Sequence, residues 1–197
     1  LEEQKAQLKK EELAARILNQ SRNELYLKLR YLDLALGNLA LAPGTASPAG
    51  TDGGALYYFP DGLLSLYEQQ GRAACTRLYL HGILHCLFCH PFDRKGRDER
   101  LWNLACDVAT EALIDSLYLK CVHQPASMVK RQALSLILEE GKVPTAQRIY
   151  RRLQTLHLPE NKMQELRREF SQDDHSKWYE NHPNSPQMSQ RKKNWDD

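Results

Sequence analysis

Leucine constrains this chain more than any other feature: it occurs 32 times, while valine and isoleucine together occur nine times. Leucine is among the better helix formers and β-branched residues are what pleated strands prefer, so the chain must fold mainly as helices, with little sheet. At 197 residues it is long enough for one domain with its own core and too short for two large ones.

The charge balance, 27 Lys and Arg against 25 Asp and Glu, leaves a formal charge of +2 and no global field to concentrate the protein on nucleic acid or an anionic membrane. The longest uncharged apolar run falls far short of the ~20 residues that cross a bilayer. Neither nucleic acid nor membrane is therefore expected as a partner. The cysteines, Cys75, Cys86, Cys89, Cys106 and Cys121, are odd in number, and no charged leader followed by an apolar stretch precedes them. That usage points to a reducing, cytoplasmic setting, although Leu1 is not an initiator methionine and both ends of the chain could be trimmed.

Charged residues with Leu8, Leu13, Ile17 and Leu18 at helical spacing predict a helix over 1–20, and a second, more buried one over 24–41. Two prolines and four glycines in 43–54 break that helical hairpin. Ala55-Leu56-Tyr57-Tyr58-Phe59 is the best strand candidate, and the Asp52-Gly53 turn signal makes it one arm of a small hairpin. Asp61 is expected to cap a helix closed by Gly71, an apolar helix runs from about 73 to 90 until Pro91 stops it, and Asp98 caps another to about 119. Three shorter helices follow near 126–140, 144–156 and 160–170, then a polar, irregular stretch from Ser171 in which Trp178, Tyr179 and Trp195 are candidate docking anchors. No internal repeat is present.

His81 and His85, four apart on the long apolar helix, project from one face and can hold a single metal ion if a third ligand joins them. Asp107 and Glu111 are likewise four apart on the next helix, which a short loop brings alongside. Two histidines and a carboxylate form a familiar zinc set. The plain alternative is a pair of structural histidines bonded across a helix interface.

Three blocks then occur in a telling order: Thr51-Asp52-Gly53 before Leu56-Tyr57-Tyr58; His81-Gly82-Ile83-Leu84-His85 with His90; and Arg97-Asp98-Glu99-Arg100-Leu101-Trp102-Asn103-Leu104-Ala105-Cys106-Asp107. Together they resemble the metallopeptidase-like domain that precedes a von Willebrand factor A-like domain in bacterial proteins, over roughly residues 12 to 120. The resemblance implies an α+β, mainly α, minimal zincin-like core with a small β-hairpin or sheet over 1–171, and a tail or linker over 172–197 leading towards a further C-terminal domain. It implies Zn²⁺ as cofactor and His81, His85 and Asp107 as its ligands. It also implies a MoxR-type AAA+ ATPase and a von Willebrand factor A-like domain as partners.

The chain departs from that pattern at one decisive position. In His-Glu-x-x-His the Glu takes a proton from the metal-bound water, and here residue 82 is glycine, which accepts no proton. Glu111 stands where similar sequences carry Asn; it could add a ligand or replace the missing base, but an ion-paired glutamate is the simpler expectation. The leading reading is a degenerate metallopeptidase-like domain without proteolysis that keeps a zinc site and serves as an interaction module. An active zinc hydrolase using Glu111 as base, and a metal-free helical scaffold, are the alternatives.

Other motifs carry less. Cys86-Leu87-Phe88-Cys89-His90 matches the attachment sequence of c-type haem, and Cys-x-x-Cys a redox centre, but both sit at the wrong end of an apolar helix, so buried free thiols are expected. His81, His85 and Cys89 share a helical face and form a rival zinc set. His90 is expected to engage the last helical carbonyls and Trp102 to be core, while Arg148, Arg151, Arg152, Arg167 and Arg168 form a solvated basic face. Asp173-Asp174-His175 could supply an outside ligand, but a solvated tail is the preferred reading.

Overall fold

The computed structural model describes residues 2–94, 96–182 and 184–196. Ten helices and one small sheet are described: α1 (Glu2–Lys28), α2 (Asp33–Gly37), α3 (Pro60–Gln70), α4 (Arg72–Leu87), α5 (Glu99–Ser116), α6 (Met128–Ile137), α7 (Ala146–Leu156), α8 (Glu160–Phe170), α9 (Ser176–Tyr179) and α10 (Pro186–Asp196), with β1 (Ala40–Pro43), β2 (Ala49–Thr51) and β3 (Ala55–Tyr58). The fold is α+β and mainly α, as the leucine excess requires.

The expected second helix over 24–41 does not exist. Instead α1 runs unbroken to Lys28, a single 3-10 turn and the short α2 follow, and Gly37-Asn38 turns the chain into β1. A short leucine-rich run has no periodicity that tells helix from strand. Here Leu25 of α1, Leu36 of α2, and Leu29 and Leu39 of the connections that follow them are all buried.

The sheet order is β1-β3-β2, with β1 parallel and β2 antiparallel to β3. The β2–β3 hairpin closes through Asp52, whose Oδ1 accepts from the amides of Gly54 (2.8 Å) and Ala55 (3.0 Å), while Gly53 takes φ +85°. The 43–54 stretch therefore contains a strand as well as its turn. Because β3 is the central strand, β2 lies at one edge of the sheet.

The helix ends also differ from expectation in instructive ways. α3 starts at Pro60, whose fixed φ suits the first helical position, so Asp61 lies inside the first turn and pairs with Lys10 Nζ at 2.6 Å. α4 ends at Leu87 because Cys89 adopts φ +57°, turning the chain before Pro91 is reached. Asp98 does cap α5, accepting from the Leu101 amide at 2.8 Å.

α4 is buried on every side from Ala74 to Cys86, and α1, α3 and α5 pack against it. One apolar cluster gathers α1, α3, α4 and the sheet with Trp195 of α10; a second gathers α5, α6, α7 and α8 with Trp178 of α9. The stretch after Ser171, expected to be irregular, thus forms two helices whose tryptophans enter the two clusters. The face shared by α4 and α5 lies where the clusters meet. No described helix is long and apolar enough to cross a membrane.

Candidate metal centre

His81 and His85 stand one turn apart on α4, both fully buried, and Asp107 faces them from α5 with a side chain that is 1% exposed. Two further donors arrive from a place the sequence reading set aside. The segment between α8 and α9 delivers Asp173 and His175, with side chains 1% and 6% exposed. The five donor groups lie within 4.8 Å of one another.

The separations are informative. His175 Nε2 is 2.9 Å from Asp173 Oδ1, 3.1 Å from Asp107 Oδ1 and 3.3 Å from His85 Nε2. His81 Nε2 is 3.4 Å from both carboxylates, and His85 Nε2 is 3.3 Å from Asp107 Oδ1 and 3.6 Å from Asp173 Oδ1. Donors about 2.0–2.1 Å from a common zinc ion lie about 2.9–3.6 Å apart in four- or five-coordinate geometry. Yet neither oxygen of Asp173, though buried, has an aligned hydrogen-bond donor. A buried carboxylate is costly unless paired, and these atoms converge on a point rather than on one another's protons. The residues fit a divalent cation.

The outer groups fix the same orientation. His81 Nδ1 lies 3.1 Å from Glu111 Oε1, so an Nδ1–H donated to that carboxylate leaves the Nε2 lone pair facing the centre. His85 Nδ1 lies 2.8 Å from His90 Nδ1; burial, then the neighbouring His85 and His175 charges, pushes His90 well below the usual histidine range, so a neutral His90 accepts the proton of His85. Asp107 Oδ2 accepts from Ser171 Oγ at 3.0 Å, which leaves Oδ1 to the centre.

Glu111 is also clamped from behind. Arg77 Nη2 reaches its Oε2 at 2.6 Å and Arg77 Nε lies 3.0 Å from the same oxygen, while Lys130 Nζ is 2.7 Å away. Burial alone would raise its carboxyl, but the His81 hydrogen bond and the Arg77 guanidinium outweigh it and hold the group down at about 2. Within the centre, burial opposes charge on His175, but the Asp107 and Asp173 carboxylates raise it to about 10, and the three histidine rings in turn hold both carboxyls well below the usual range. Two buried carboxylates thus attract compensating positive charge, which a divalent cation supplies by displacing protons.

The structure therefore brings His81, His85 and Asp107 together and places Glu111 one step behind His81. Cys89 does not join them: it lies past the end of α4, with Sγ 3.8 Å from Asp196 Oδ1. His90 supports His85 and engages Trp102 through its carbonyl rather than lining the centre. The solvated tail expected at 173–175 is corrected, because Trp178, fully buried, stacks on the His175 ring at 3.8 Å and anchors that stretch. Gly82 is packed inside, where a Cβ would meet Leu56 Cδ1 of β3 at 3.1 Å. All five cysteines are free thiols.

A family model described as "Putative metallopeptidase domain" matches residues 26–193. The matched span takes in all five converging donors, including the two from beyond α8. No curated protein and no solved structure matches the chain.

Proposed function

The chain belongs to this metallopeptidase-domain family, and we propose that it is a member that keeps the metal centre, with zinc held by His81, His85, Asp107, Asp173 and His175, and has lost hydrolysis. The observation that carries this reading is the convergence of five buried donors on one point, with neither Asp173 oxygen receiving an aligned hydrogen bond. Three imidazoles and two carboxylates suit a borderline divalent ion such as zinc. When bound in a hydrolytic centre, zinc polarises a carbonyl and lowers the pKa of a water molecule.

What the protein adds here favours holding over turnover. Residue 82, where His-Glu-x-x-His places its general base, carries no side chain, and a Cβ there would press on Leu56 Cδ1 at 3.1 Å. Glu111, the other candidate base, is committed to Arg77, Lys130 and His81, and a carboxyl held at about 2 is a poor proton acceptor near neutral pH. Its place behind His81 suits a group that orients a ligand. The partners that the sequence resemblance implies, a von Willebrand factor A-like domain and a MoxR-type AAA+ ATPase, are those we propose for such a module.

Zinc-loaded protein incubated with unfolded casein and with mixed short peptides is expected to cleave them no faster than metal-stripped protein. Zinc-dependent cleavage abolished by Glu111→Gln with zinc still bound would instead make the chain an active hydrolase.

A further inference from the structure

The segment that brings Asp173 and His175 is attached differently from the three ligands on helices. Residues 171–176 pass along the free edge of β2, where the Asp174 amide donates to the Ala49 carbonyl at 2.8 Å, a single strand-like bond. The approach is close: a Cβ on Gly50 would sit 2.1 Å from the Asp174 carbonyl oxygen, nearer than any real contact. Glycine at 50 is therefore what lets the segment lie down. On its outer side runs an open groove of about 520 Å³ lined by Ser47, Arg100, Asn103 and Arg167, so no packed layer covers the segment. Ser171 and Ser176 are exposed, and the segment's inward holds are the Ser171–Asp107 bond, the Ala49 bond, the two donor side chains themselves and, at its C-terminal end, the stack of the His175 ring on the buried Trp178.

We propose that residues 171–176 form a metal-dependent latch: with metal bound, Asp173 and His175 complete the coordination and hold the segment on the edge of β2, and without metal the segment lifts, exposing that edge and the His81, His85 and Asp107 face. The proposal rests on the metal-centre reading above. Its logic is linkage: whatever binds the closed form better than the open one favours closure by that difference in affinity, and whatever blocks closure weakens the metal by the same factor. Closed, the latch fills with the chain's own side chains the positions that a hydrolytic centre leaves to water and substrate. Gly50 acts as a positioning residue that never touches the ion.

The test uses the whole chain in three forms, wild type, Asp173→Asn/His175→Gln and Gly50→Ala, with zinc affinity read by competition against a chromophoric chelator and opening read by amide hydrogen exchange over 171–179. Asn and Gln keep the side chains polar and similar in size, and circular dichroism checks that each variant is folded. Wild type is expected to bind zinc and to slow exchange in this segment by about tenfold or more when it does. Both variants are expected to bind zinc about tenfold or more weakly, within the range reported for loss of groups that support a metal centre. Zinc binding by wild type without slower exchange, or a folded Gly50→Ala that binds as tightly as wild type, overturns the latch and leaves the metal centre standing. Failure of wild type to bind zinc overturns the centre and the latch with it.

Discussion

Methionine in place of Arg77 is expected to cost about 3–5 kcal/mol of folding stability, the usual effect of breaking a buried ion pair from one side. Arg77 is 1% exposed on the most buried helix and is the hub of a polar cluster: it meets Glu111 at 2.6 Å and Asp115 at 2.7 Å, and donates to the Val122 carbonyl at 3.0 Å. Without it Glu111 keeps only Lys130 and His81 against the burial of its charge. Urea unfolding read by circular dichroism measures the loss as a lower midpoint at unchanged slope. Arg77→Met/Glu111→Met is expected to be less destabilised than the sum of its two single changes, because it removes the stranded carboxylate together with its partner. A single variant within about 1 kcal/mol of wild type would show that the cluster contributes little.

Stripping the metal is expected to have a comparable effect by another route. An ion that binds only the folded chain, present at about a thousand times its dissociation constant, stabilises by about 4 kcal/mol. In a chain of this length that corresponds to a melting temperature about 8–16 °C higher. Protein dialysed against a strong chelator is expected to melt lower by that amount and to recover when zinc is returned, whereas His81→Ala/His85→Ala is expected to melt at one temperature with or without chelator. Superimposable wild-type melts in the two conditions would contradict a metal centre that supports the fold.

The parts of this account that were legible in the sequence are those with local periodicity. His81 and His85 share a face by their spacing, Asp98 announces a helix by its chemistry, and Asp52-Gly53 announces the hairpin that the structure builds. Asp107 could be placed opposite the histidines because a short connection forces two consecutive helices to pack together. What was not legible depends on contacts distant in sequence. Asp173 and His175 sit in a polar segment without periodicity, and the hint was Trp178 three residues on, which is too large and apolar to stay in solvent and stacks directly on His175. The 24–41 stretch misled because its buried leucines, Leu25, Leu29, Leu36 and Leu39, are spread over two helices and the connections that follow them, while Leu27 and Leu34 face solvent. Glu111 was visible as a carboxylate on the right face, but its role depends on Arg77 and Lys130, whose approach no spacing rule predicts.

The most direct test of the central claim is metal content by mass spectrometry on protein purified without a metal-affinity step, with His81→Ala/His85→Ala measured beside it. About one zinc ion per chain in the wild type, lost in the variant, is the predicted result. A wild-type chain that holds no zinc, even after zinc is offered and the excess removed, would contradict it and leave the five buried donors a structural polar cluster.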